Sequence, residues 1–269
     1  MTEEEKEETA ESKKNDEIAE KSAAPQESEE SQPTDSEEED LDDEGDEIEF
    51  DLEAQVEEFR KLIDEDPDNC VNFYNLGEAL AELGQLSEAK EAFEQALLLD
   101  ENQEFSSIIH LGIGNLYYHQ LMSGIQSTVV KSSVGMLSQH KQQNTINSVS
   151  GDDYSIPIAE FEKAIQFLPN LNADEEIVDY VRINAPKQIS TIYYKWASDL
   201  FDKARQLEHY GDEIKDIKQG LKFLKKTIEI DPNHAQANLM VKYGKKMLLE
   251  GFSIYDEYGF EAKVIPGAG

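Results

Sequence analysis

Residues 70–103 read CVNFYNLGEALAELGQLSEAKEAFEQALLLDENQ, and this stretch decides the fold. Phe73, Leu76, Leu80 and Leu83 recur every three or four residues, the spacing of one apolar helix face. Gly84 follows where that helix should stop, because glycine accepts the left-handed conformation common just after a helix. Ser87 is placed to cap a second helix, with Glu88 in its first turn. Ala89, Phe93, Ala96, Leu97 and Leu99 form the second apolar stripe. Two such short helices cannot bury both stripes alone, so the pattern calls for stacked neighbours of the same kind.

The stretch resembles a tetratricopeptide repeat. That family's pattern is a large residue, a Leu–Gly pair, a second large residue, then Ala, an aromatic, Ala and usually Pro. Phe73, Leu76, Gly77, Leu80, Ala89, Phe93 and Ala96 stand at those places, and Glu101 replaces the closing Pro. The resemblance implies an all-α, tetratricopeptide-like solenoid of helical hairpins, wound as a right-handed superhelix. It also implies that Gly77 and Ala89 are small because the paired helices cross closely there.

The chain has 269 residues and a formal net charge of −35. Residues 1–50 hold 23 Asp and Glu against 4 Lys, so more than half of the net charge lies at the front. Residues 1–47 carry almost no large apolar side chain and cannot offset their ordering entropy, so they are expected to be a disordered acidic tail. Such a tail is a solvating device or a polyanionic arm for basic proteins. Ser28, Thr34 and Ser36 lie among its acids and resemble acid-directed phosphorylation sites. The charge balance argues against nucleic acid as a direct partner and against anionic membranes. No run of 18 apolar residues suggests a membrane span, and the first residues lack an apolar signal region. Cys70 alone allows no internal disulfide and fits a reducing, cytoplasmic compartment.

Outward from residues 70–103, the chain reads as stretched or partial copies of that unit, over residues 48–250. Val56, Phe59, Leu62 and Ile63, then Pro67, look like the second half of a degenerate repeat or a capping helix. Ile108, Leu111, Gly112 and Leu116 continue the helical spacing, with Leu111–Gly112 resembling the family's Leu–Gly pair. Its second helix comes late, over residues 154–169, with Phe161, Ala164 and Pro169 in the family's places. An insertion of residues 121–153 separates the two, expected to be a mobile loop or a partner-specific arm, with a weak amphipathic helix over residues 124–139.

The next repeat places Ile189, Ile192, Tyr193 and Trp196 on its first helix, with Tyr193 in the place of glycine and Pro186 interrupting the chain before it. Its second helix runs over residues 213–230, after a turn at residues 209–212. Residues 235–249 match the polar-faced helix that ends many such arrays. Residues 251–269 form an apolar tail, expected to pack on the array or to lie as a strap across its groove.

Enzymatic and metal-binding constellations are absent from the sequence: no phosphate-cradling glycine loop, no Gly-x-Ser-x-Gly, no His-Glu-x-x-His. The five histidines (His110, His119, His140, His209 and His234) share no metal-ligand spacing, so no cofactor is expected. In the family, the first helix of each repeat lines a concave groove that binds peptides or helices. Carried to this sequence, that implies a partner-binding groove of Tyr74, Asn75, Glu78, Glu82, Ile109, Ile113, Tyr117, Lys187, Thr191 and Tyr194. The family's clamp for the acidic C-terminus of heat-shock chaperones puts Lys and Asn where Tyr74 and Glu78 stand, and Thr191 replaces a second cation, so that specificity is not expected. The sequence therefore reads as a non-enzymatic adaptor or co-chaperone-like scaffold. The alternative is an acidic histone-type chaperone shielding basic clients.

Overall fold

The computed structural model describes residues 51–133, 151–207, 211–256 and 258–269, without the side chains of residues 124–133. The expected acidic tail with its three hydroxyl residues lies outside the described residues, as do Ile48, Phe50, His140, His209 and Tyr210. Packing separates residues 1–48 from residues 49–269, and the second unit is the one described below.

Eight α-helices and two strands make up the described residues. They are α1 (Leu52–Glu65), α2 (Cys70–Glu82), α3 (Leu86–Leu99), α4 (Ser106–Ser133), α5 (Gly151–Phe167), α6 (Glu175–Ala204), α7 (Glu213–Ile230), α8 (Ala235–Glu250), β1 (Gly251–Tyr255) and β2 (Glu261–Pro266). Helix α2 pairs with α3, α4 with α5, and α6 with α7. Each second helix lies against the first helix of the next pair: α1 on α2, α3 on α4, α5 on α6, and α7 on α8. Since α2 also touches α4 and α4 touches α6, the first helices make an inner layer and α1, α3, α5 and α7 an outer one. This succession of neighbouring pairs is the all-α solenoid the sequence implied.

Local chemistry sets the ends of the first pair. Asp51 Oδ1 accepts from the Ala54 amide at 3.0 Å and caps α1, and Asn69 Oδ1 accepts from the Val71 amide at 3.1 Å and caps α2. Gly84 takes a φ of 75°, and the Gln85 amide turns back to the Leu80 carbonyl at 2.9 Å, closing α2 as glycine permits. Ser87 does not cap α3: the helix starts one residue earlier, behind Gln85, which makes no capping side-chain bond. The joint to the second pair is built by buried Asp100. It accepts from the Glu104 amide at 3.0 Å, the Phe105 amide at 3.1 Å and Ser106 Oγ at 2.6 Å.

The helices of each pair cross where an aromatic ring meets a residue with little or no side chain. A Cβ on Gly77 would stand 2.7 Å from the Phe93 ring, and one on Gly114 would stand 2.8 Å from the Phe161 ring. This corrects the register read from sequence. The glycine under Phe161 is Gly114, not Gly112, whose added Cβ would meet Phe93 and Glu78 of the preceding pair. In the new register Tyr117 takes the second large place and Ser107 the first place of the repeat. Ser107 Oγ donates to the Ala164 carbonyl at 2.7 Å. The same bond recurs between Ser190 Oγ and the Thr227 carbonyl at 3.5 Å, which moves the third repeat by one helical turn. Its small residue is then Ala197, fully buried, rather than Tyr193.

Three further expectations change. Pro186 does not interrupt the chain but lies inside α6. Much of the insertion is helical: α4 runs on to Ser133 and α5 starts at Gly151, so residues 124–133 continue α4 rather than forming a separate helix, and residues 134–150 lie outside the described residues. The apolar tail is an antiparallel hairpin of β1 and β2, with Phe252 opposite Ile265 and Ser253 opposite Val264. It buries Ile254 and Ile265, and Lys263 pairs with the buried Glu213 at the start of α7. The hairpin thus packs on the end of the array, as one of the two expectations had it. The exposed face of α8 is mixed: Lys242, Lys245 and Lys246 stand on it, but so do Leu239 and Leu249, 69 % and 62 % exposed.

The Phe161 crossing gives a direct test of the register. Alanine at Gly114 gains about 1 kcal/mol of helix propensity. It also forces a methyl into a fully buried ring, where overpacking costs about 1–3 kcal/mol. Gly114→Ala is therefore expected to lower stability by about 1 kcal/mol, read as a reduced urea midpoint at unchanged slope.

Candidate functional site

The inner layer is where the implied groove residues must lie, and the corrected register decides which of them do. A slip of two residues turns a helix by about 200°. Ile109 and Ile113 accordingly face inward to the protein: both are buried in the core formed with α2 and α3. Tyr117 is turned to Lys90 on the outer helix α3, and its hydroxyl holds the Lys90 ammonium above the usual lysine range. These three α4 residues are packing residues and leave the candidate groove. The places that match Tyr74 and Glu78 of α2 are Leu111 and Asn115 on α4, and Tyr194 and Ser198 on α6.

Helix α6 starts well ahead of its repeat. Residues 175–189 precede the first repeat place at Ser190, and they lie over the inner side of α4: Val181, Ala185 and Ile189 are buried in one cluster with Leu111. Asn172, just before α6, ties this extension to the start of α4, donating its amide N–H to the Glu104 carbonyl at 2.9 Å and its side-chain N–H to Glu104 Oε2 at 3.1 Å. Ile177, at the edge of that cluster one turn before Val181, and Tyr180 and Ile183, on the side turned away from it, follow at three-residue spacing. They are 37 %, 54 % and 65 % exposed. Lys187, exposed, continues that face, and Thr191 Oγ1 bonds the Lys187 carbonyl at 3.0 Å.

This ledge looks towards α2. The Tyr74 hydroxyl is pushed well above the usual tyrosine range, first by burial, then by the Glu78 carboxylate and by Tyr180 across the face. Tyr74 rests on the Phe93 ring with centroids 5.9 Å apart. Glu78 is half-buried beside Gly112, and burial followed by the Glu82 charge holds its carboxyl above the usual range. Glu82 is exposed one turn on, and Asn75 is half-buried. Among the described residues no lysine or arginine pairs with Glu78 or Glu82. Tyr194 lies further along, tilted on the His234 ring with centroids 4.7 Å apart. The structure thus brings Tyr74, Glu78 and Glu82 to one face and sets Tyr180 beside it, with Ile177 and Ile183 on the same helix. Sequence reading missed the last three. Their helical spacing is visible in the sequence, but a break expected at Pro186 sets them apart from the repeat's first helix.

Other polar clusters hold helices together. His110 Nδ1 meets Glu160 Oε2 at 2.7 Å and joins α4 to α5, while the imidazole stacks on Phe167 at 5.6 Å. Burial opposes the Glu160 charge, but hydrogen bonds from His110 and Lys163 outweigh it and keep the carboxyl below the usual range. Tyr154 donates to Asp199, which Lys195 also pairs, and the Tyr154 ring stacks on Trp196 at 5.0 Å, joining α5 to α6. On the outer side an open cleft of about 390 Å³ lies between α1 and α3, lined by Phe73, Leu76 and Gln95 and edged by an Arg60–Glu88 ion pair at 3.2 Å. Among the described residues no group of three His, Cys, Asp or Glu could hold a metal ion. No described helix is long and apolar enough to cross a membrane.

The family model of the tetratricopeptide repeat matches residues 72–103, the α2–α3 pair on which the geometry above is patterned. Over this one unit the chain is thus similar to the tetratricopeptide repeat, a fold of protein–protein interaction. A search of curated proteins gives no match.

Glu78 makes this face testable without a ligand. A carboxyl raised in the folded state is deprotonated first in the unfolded chain, so it costs stability as pH rises. That cost is absent below about pH 4 and complete above the raised value. Glu78→Gln is therefore expected to raise Tm at pH 7, and the gain should close as the pH is lowered towards 4.

Proposed function

We propose that this protein is a non-enzymatic adaptor or co-chaperone-like scaffold that holds a peptide or helix of a partner protein on its inner face. The observation that carries the reading is the ledge of Ile177, Tyr180 and Ile183 beside Tyr74. Three large apolar side chains stand exposed there at three-residue spacing. Contiguous exposed apolar surface of this kind marks interaction sites. Helical partners dock by matching apolar residues at the same spacing. Asn75, Lys187, Thr191 and Tyr194 extend the same face as polar and aromatic contacts. A cytoplasmic setting accords with one free, buried cysteine.

The acidic histone-type chaperone is the second reading, and the concentration of charge in residues 1–50 supports it. The two readings separate by photocrosslinking in cell extract. With a photoreactive side chain at Ile183, the inner-face reading expects adducts to a defined partner, and few or none from the exposed Leu98 on outer helix α3. The double change Tyr180→Ala with Ile183→Asp should reduce retention of that partner at least tenfold at unchanged Tm. Deleting residues 1–47 should leave it intact. Retention that survives the double change but vanishes with the tail deletion assigns binding to the acidic tail instead.

A further inference from the structure

The inner face has two chemically different walls. On α6 the wall is apolar, a row of Ile177, Tyr180 and Ile183 that spans about 9 Å along the helix axis. On α2 the wall is anionic, with Glu78 and Glu82 one turn apart. The anionic wall is unusual in its surroundings. Glu78 is half-buried, its electrostatic neighbours are Tyr74 and Glu82, and no described lysine or arginine offsets it. Carboxylates gathered without a cation weaken the free protein, and a cation supplied from outside would reverse the penalty. A segment that satisfies both walls must present apolar residues on one side and cations on an adjacent side.

We infer that the inner face selects a basic amphipathic helix, whose apolar residues lie on Ile177, Tyr180 and Ile183 and whose Lys or Arg side chains pair with Glu78 and Glu82. This rests on the inner-face reading above and adds the chemistry of the occupant. A helical occupant fits because the apolar ledge is itself a helix ridge, and ridges of this spacing seat in the grooves of a facing helix. An acidic segment is disfavoured on α2 by like charge. A purely polar cation leaves the ledge wet. Arginine suits the carboxylates better than lysine, since its planar fork can meet both oxygens of one group.

The test uses the full chain and fluorescein-labelled synthetic helices of equal length: one of Leu with Lys and Arg, one with Glu replacing the cations, and one with Ser replacing Leu. Anisotropy at 150 mM salt is expected to show the basic amphipathic helix binding at least tenfold tighter than the other two. Glu78→Gln with Glu82→Gln should weaken it at least fivefold and flatten its salt dependence, and Ile183→Asp should weaken it at least tenfold. Both variants should keep the wild-type Tm or exceed it. If the acidic helix binds best and Ile183→Asp abolishes that binding, the assigned chemistry is overturned while the inner-face reading stands. Basic-helix binding that ignores Ile183→Asp overturns both. Affinity unchanged by the paired Gln variant, or equal for the Leu and Ser helices, places the cations on the acidic residues 1–50 and refutes the inference. A concentration-dependent doubling of mass in sedimentation, lost with Ile183→Asp, would make a second copy the occupant and refute it too.

Discussion

The crossing of an aromatic ring over a residue without a side chain is the constraint on which the array depends. Phe93 over Gly77 and Phe161 over Gly114 set how closely two helices of a pair approach. Phe201 does the same at the far end, wedged between Gly220 of α7 and Gly244 of α8. All three rings are fully buried, so none can swing aside to admit a methyl. The close approach fixes which face of each first helix is left over. That remainder is the inner surface, so the position of a single glycine determines which side chains stay accessible on it.

Polar joints then hold successive pairs in sequence. Asp100 gathers two amides and a hydroxyl at the start of α4, His110 meets Glu160 between α4 and α5, and Tyr154 meets Asp199 between α5 and α6. Buried groups of this kind are costly when unpaired and tolerable when bonded, so they favour one register over its neighbours. The Asp100 bonds are local, but His110 and Glu160 lie 50 residues apart and Tyr154 and Asp199 lie 45, so neither of those bonds forms until the helices have met. At the far end the hairpin covers part of α8, with Lys263 meeting Glu213, which is the role a further repeat would otherwise fill.

The inner face follows from the length of α6. Had the third repeat begun at Ser190, Leu111 and the neighbouring side of α4 would have been open. The extension buries them with Val181 and Ala185 and turns Ile177, Tyr180 and Ile183 outward in exchange. Pro186 permits this because a proline inside a long helix costs one hydrogen bond and a local clash, and packing on α4 outweighs it. Near the ledge stand Tyr74, Glu78 and Glu82 of α2, and among the described residues no lysine or arginine pairs with the two carboxylates.

Local pattern alone determined the all-α solenoid, the α2–α3 pair and its Gly84 stop, and the existence of the later helices, because helical periodicity and a glycine stop are written within a few residues. It placed Tyr74, Glu78 and Glu82 on one face for the same reason. It misplaced Ile109, Ile113 and Tyr117, because Gly112 and Gly114 are equally glycine to a pattern, and only the Phe161 ring, from a helix that starts beyond an insertion, tells them apart. The ledge, the hairpin and the buried polar joints were decided by tertiary structure. The burial of the ledge's other side, the docking of the hairpin through Lys263 and Glu213, and the His110–Glu160 and Tyr154–Asp199 bonds all depend on how helices distant in sequence stack.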